Sequence, residues 1–170
     1  MSYYQFIASN NKLPDLENEK LVSLSINEAY EMGLVEGAFG LAPEEVLDLY
    51  DDKDAKGAVI HCENEEDFDE LSIIEEDFND YSSAYTDKEF CSAISWRPSE
   101  ERIEKLIKYV KDQMEITDEI ELWTIILDDE DECEAEIITC SLEDLDSETV
   151  SDAMEIDEYS GPICLKIIKC

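Results

Sequence analysis

The chain has 170 residues, 47 of them Asp or Glu against 12 Lys or Arg, which gives a formal charge of −35. A surface of that sign repels phosphate backbones and anionic membranes, so direct nucleic-acid and membrane-surface binding are excluded as expected functions, while basic proteins and divalent cations are attracted. With 44% apolar and 9% aromatic residues the chain can still bury a core, and it reads as a single domain over 1–170, with sub-lobes 1–86 and 87–170 if it divides.

In chain order, Tyr3–Ala8 and Leu21–Ser25 read as strands. Ser25-Ile26-Asn27-Glu28 is a capping-box pattern that announces a short helix, and Gly33 stops it. Pro43 suits the first position of a second helix that runs to about Tyr50. Ala58–Cys62 is a short strand, and Asn64 then reads as the cap of a helix carrying Phe68, Leu71, Ile74 and Phe78 at three- and four-residue spacing. Phe90–Trp96 is predicted as a strand. Ser99 caps the clearest helix, whose apolar stripe is Ile103, Leu106, Ile107, Val110 and Met114. Ile120–Leu127 and Ala135–Cys140 read as a hairpin with an acidic tip, followed by a helix near Glu148–Met154 and a closing strand over Pro162–Ile168. The predicted class is α+β: a mixed or antiparallel sheet with helices packed on one face. The C-terminal half is read as a β-α-β-β-α-β, ferredoxin-like unit, with the N-terminal half extending the sheet or packing beside it.

The acids are unevenly placed. Residues 1–42 carry six acids and two bases, residues 43–100 nineteen and four, and residues 101–170 twenty-two and six. Solubility alone needs a net charge of only about 2–8 in a small domain, so the excess calls for another reason. On the predicted helix, Glu65, Glu66 and Asp67 sit in a first turn that favours anions by about 0.3–1 kcal/mol each. Glu75, Glu76 and Asp77 fall near its far end, where the dipole disfavours them. Asp128, Asp129, Glu130, Asp131 and Glu132, followed by Glu134, crowd a hairpin tip that needs only turn residues. These two clusters are the candidate partner-binding residues. Arg102, Lys105, Lys108 and Lys111 put four of the twelve bases on one helix, where they read as a ridge that pairs with neighbouring acids.

Residues 52–63 have carboxylates at Asp52 and Asp54, a turn glycine at Gly57, an apolar Val59 and a closing Glu63. Over these twelve residues the spacing resembles an EF-hand calcium loop, which implies Asp52, Asp54 and Glu63 as metal ligands and calcium as the alternative cofactor. Lys56 and Ile60 depart from that pattern, since each occupies a position that should supply a ligand. Catalytic signals are weaker. His61 is the only histidine, no Cys-x-x-Cys pair occurs, and Gly33, Gly37 and Gly40 lack the flanks of a phosphate loop. No catalytic residues are identified, and an enzyme remains an alternative without a named site.

The expected function is a cytoplasmic interaction module, an inhibitor or immunity-type protein that presents an acidic face to a basic partner. Such a partner would be a toxin or a nucleic-acid-binding enzyme, the latter engaged by imitation of DNA's closely spaced charge. No cofactor other than the alternative calcium is expected. In that compartment the six cysteines are expected as thiols, with Cys62, Cys140 and Cys164 in apolar, strand-like runs.

Overall fold

In a computed structural model of the chain, residues 3–76, 81–127, 134–155 and 161–169 are described. The class is α+β. The chain forms two compact units, one from residues 1–17 and 69–170 and the other from the single inserted segment 18–68. These boundaries differ from a division at 86 and 87, because residues after 69 return to pair with the N-terminal strand's sheet.

The larger unit is built on a six-stranded mixed sheet. Its strands are β1 (Tyr3–Ser9), β4 (Ser72–Glu75), β5 (Phe90–Ser95), β6 (Glu119–Ile126), β7 (Glu136–Ser141) and β8 (Ile163–Ile168), in the order β4-β5-β1-β6-β8-β7. The remaining strands, β2 (Val22–Leu24) and β3 (Val59–His61), form a separate antiparallel ribbon in the inserted unit. Helices α3 (Glu100–Gln113) and α4 (Ser147–Met154) belong to the larger unit, and α1 (Ile26–Glu31) and α2 (Pro43–Val46) to the inserted one.

Strand alternation sorts the larger unit's core into two faces. Ile7, Ile73, Ile94, Ile120, Leu122, Leu165 and Ile167 share one cluster with Ile103, Leu106, Ile107 and Val110 of α3 and Val150, Ala153 and Met154 of α4. Phe6, Ala8, Cys91, Trp123, Ile125 and Cys164 form a second cluster that contains no helix residue. Both helices therefore lie on one face. Helix α3 starts where predicted, with Ser99 Oγ accepting from Arg102 N at 3.4 Å, and α4 starts at Asp146, whose Oδ1 accepts from Thr149 N at 2.8 Å.

Two predicted elements are corrected. Over the described residues 64–76 the predicted helix is absent: a 3-10 turn over Glu65–Asp69 leads into β4, and the rest of the predicted span, including Phe78, lies outside the described residues. Ile73 and Ile74 are β-branched and alternate, Ile73 buried and Ile74 exposed, and pairing with β5 satisfies a backbone that helical spacing alone would not have placed. Nor do β6 and β7 form a hairpin. Strand β8 lies between them, antiparallel to β6 and parallel to β7. β8 is almost continuously apolar, as a central strand must be, whereas β7 carries Glu136, Thr139 and Ser141 and suits an edge. Because β1 separates β5 from β6, the four C-terminal strands do not stand together as a ferredoxin-like sheet.

The inserted unit is held by local devices. The capping box of α1 is formed: Ser25 Oγ accepts from Glu28 N at 3.2 Å and Glu28 Oε2 accepts from Ser25 N at 2.7 Å. Gly33, at φ +73°, ends the helix in a Schellman arrangement in which Leu34 N reaches Ala29 O and Gly33 N reaches Tyr30 O, both at 2.9 Å. Asn18 Nδ2 donates to Asp67 O at 2.7 Å, tying the two ends of the inserted segment together. Helix α2 is shorter than predicted and passes into a 3-10 turn over Leu47–Leu49.

Candidate functional site

On the helix-free face of the larger sheet, the period of two in β6 puts Glu119, Glu121 and Trp123 side by side, and the β6–β8 register sets Glu121 opposite Lys166 and Trp123 opposite Cys164. Glu121 is buried, and its Oε2 accepts from Thr86 Oγ1 at 2.7 Å and from Trp123 Nε1 at 2.9 Å. Lys166 Nζ lies 3.2 Å from Glu119 Oε1 and 3.8 Å from Glu121 Oε1, and Lys88 closes the network on Glu119. Burial works against ionisation of Glu119, but the Lys88 and Lys166 ammonium groups outweigh it and hold the carboxyl below its usual range. A cavity of about 320 Å³ opens here, lined by Tyr85, Thr86, Lys88, Glu121, Trp123 and Lys166 among others.

Two carboxylates and two ammonium groups form the network, and Asp87 adds a third carboxylate to the cavity wall. Burial pushes the thiol of Cys164, which lines this cavity, up to about 12. Sequence reasoning missed the network. Its signal was the charged residues Glu119, Glu121 and Lys166 inside strands that are otherwise apolar.

The inserted unit carries a second cleft, of about 680 Å³, on the face of the β2–β3 ribbon where Val22 pairs with His61 and Leu24 with Val59. Val22, Leu24 and Met32 supply apolar lining, and Glu19, Glu63 and Asp67 supply carboxylates. Lys20 pairs with Asp67 at 3.1 Å and holds that carboxyl below its usual range. The Cys62 thiol donates to Asn64 O at 2.9 Å.

The predicted acidic clusters are placed as follows. Glu75 pairs with Lys12 at 2.5 Å, and its amide donates to Asp15 Oδ1 at 2.8 Å. Glu76 turns toward the same side as Cys91. Its Oε2 accepts from Ser82 Oγ at 2.9 Å, its Oε1 is buried without a hydrogen-bond partner among the described residues, and burial raises its carboxyl above the usual range. Glu134 is exposed. Asp77 and Asp128–Glu132 lie outside the described residues, as do Cys133 and Cys170.

The calcium-loop candidates are engaged locally. Asp52 Oδ1 accepts from Asp54 N at 3.0 Å, Asp54 Oδ1 accepts from Asn27 Nδ2 at 2.9 Å, and Lys56 pairs with Glu28. Glu63 follows β3 rather than entering a helix, and no group of three or more His, Cys, Asp or Glu with metal-holding geometry occurs among the described residues. Asp52, Asp54 and Glu63 are thus not gathered into a ligand set.

The chain matches no protein-family model, no curated protein and no solved structure. No described helix is long and apolar enough to cross a membrane. The basic ridge on α3 is spoken for in part: Arg102 and Lys105 both approach Glu70, at 4.0 and 3.4 Å, and Lys108 pairs with Asp112 at 2.6 Å.

Proposed function

We propose that the protein is an acidic interaction module, of the inhibitor or immunity type, that engages a basic protein partner such as a toxin or a nucleic-acid-binding enzyme. One observation carries the reading. At least ten of the twelve bases lie within 4.0 Å of a carboxylate of the same chain. Most of the positive charge is thereby paired within the chain, and a net charge of −35 remains uncompensated. Such a field steers a cationic partner and rejects anionic ones. Exposed Glu134 and the adjoining Asp128–Glu132 run, together with Asp77, are the carboxylates assigned to the contact; Glu75 and Glu76 contribute less, because each already has an internal role.

The test is retention of host proteins on the immobilised chain at low salt, with elution by a salt step. Basic proteins should be retained and released steeply as salt rises. Changing Asp77, Asp128–Glu132 and Glu134 to Asn or Gln should abolish retention, while changing Glu100, Glu101 and Glu104 on α3 to Gln should leave it. Equal loss in both variants would reduce the interaction to bulk charge, and retention unchanged by the first set would refute the assignment.

A further inference from the structure

The inserted unit exposes more apolar side chain than its own fold accounts for. Val22 and Met32 are 50% and 53% exposed, both line the 680 Å³ cleft, and Leu24 lies beside Val22 on the same face of β2. A two-stranded ribbon such as β2–β3 is marginal by itself and gains from any surface laid against it. Contiguous exposed apolar surface with a polar rim is the kind that marks an interaction site. Here the rim is anionic: Glu19, Glu63 and Asp67 border the cleft, and the one lysine there, Lys20, is paired to Asp67.

We propose that this cleft receives an apolar side chain from a partner segment whose flanking residues are Lys or Arg. The inference rests on the acidic-module reading and names the place where one partner contact is made. Charge complementarity selects the occupant. A second copy of this chain brings the same −35 charge, and an anionic lipid or nucleic acid is repelled by Glu19 and Glu63, whereas a basic amphipathic segment satisfies both the apolar floor and the anionic rim. The floor supplies the anchor and the rim supplies long-range attraction, the division of roles that interfaces use between buried centre and polar edge.

The probes are three synthetic peptides: one of Leu and Lys with the leucines on a single helical face, one of the same composition with the leucines dispersed, and one with Glu in place of Lys. The readout is the imidazole NMR signal of His61, which lies in the cleft and is the only histidine in the chain, followed at fixed neutral pH. The patterned basic peptide should shift His61 saturably, the dispersed one more weakly, and the acidic one not at all. Val22→Ser with Met32→Ser should weaken patterned-peptide binding roughly tenfold or more, as expected for losing one buried apolar contact. Both side chains are half exposed, so the fold should survive; Glu63→Lys, at an exposed position, gives an independent variant that should also weaken binding. Binding that leaves His61 unmoved and ignores these substitutions would overturn the cleft and spare the acidic-module reading. Absence of saturable binding by either basic peptide would overturn both.

Discussion

Single residues show what a sequence can announce and what it hides. Gln5 interrupts an apolar run in β1, and nothing in its neighbours explains a polar side chain there. In the fold it is 2% exposed and fully used: Nε2 donates to Thr124 Oγ1 at 3.0 Å and to Met154 O at 2.9 Å, and Oε1 accepts from Trp96 Nε1 at 2.8 Å. Its partners come from β6, the end of α4 and the residue after β5, so its role is legible only once the sheet is assembled. Replacing it by Leu preserves the packing volume but strands the Met154 carbonyl and the Trp96 indole N–H, at a cost of about 2–3 kcal/mol. Urea denaturation of Gln5→Leu should show that loss as a lower midpoint with an unchanged slope; a midpoint within error of the parent would mean that water replaces the amide. Glu76 is the opposite lesson. It reads as part of an acidic cluster, yet side-chain alternation after β4 turns it inward to Ser82.

At the scale of elements, legibility followed the length and purity of the pattern. Helix α3 was readable because five apolar positions and a cap agree over fourteen residues, and α1 because both halves of its capping box are written in four. The segment from Asn64 to Glu76 was not, because apolar residues at helical spacing competed with the β-branched pair Ile73-Ile74, and strand pairing to β5 decided the matter. The β6–β8–β7 order was legible in part: a run as apolar as β8 belongs between neighbours, but nothing local says which neighbours. The cleft of the inserted unit went unread because the β2–β3 register brings Val22 beside distant His61, and Met32 joins them from the end of α1. The stability of α1 matters to that cleft, since Met32 is its C-cap. Ser25→Ala removes the acceptor for Glu28 N and should cost about 1 kcal/mol. Amide exchange over Ile26–Glu31 should accelerate several-fold in that variant, while β1 and β6 keep their protection; uniform acceleration everywhere would show that the two units unfold as one.

For the whole molecule, charge was legible from the start and its consequence for stability can be given a sign. Folding brings the uncompensated carboxylates together, so their repulsion opposes the compact state, whereas each exposed ion pair returns about 0–1 kcal/mol. Salt weakens both terms. With 35 charges in excess the repulsion dominates, and at neutral pH Tm should rise by several degrees as ionic strength goes from about 0.01 M to about 1 M, where the Debye length falls from about 30 Å to about 3 Å. Acid separates two groups of carboxyls. Glu76, raised by burial, costs stability while ionised, and that cost disappears as pH falls below its folded value. Glu28 is lowered to about 2 by its hydrogen bonds to Lys56 and the Ser25 amide, and Glu119, Asp67 and Asp146 are lowered as well. Their stabilisation is complete above the unfolded value, about 4 for such groups, and is lost as pH falls through the depressed folded values. The expected low-salt profile therefore rises from neutrality into mildly acidic pH and falls steeply toward pH 2. High salt should flatten the rise, which repulsion causes, and lessen the fall without removing it, because Glu28 and Asp146 are also held by backbone amides. A Tm that drops with added salt at neutral pH would mean that internal pairing, and not repulsion, governs the fold, and it would remove the argument that the acidic excess is held at a cost to folding for the sake of a partner.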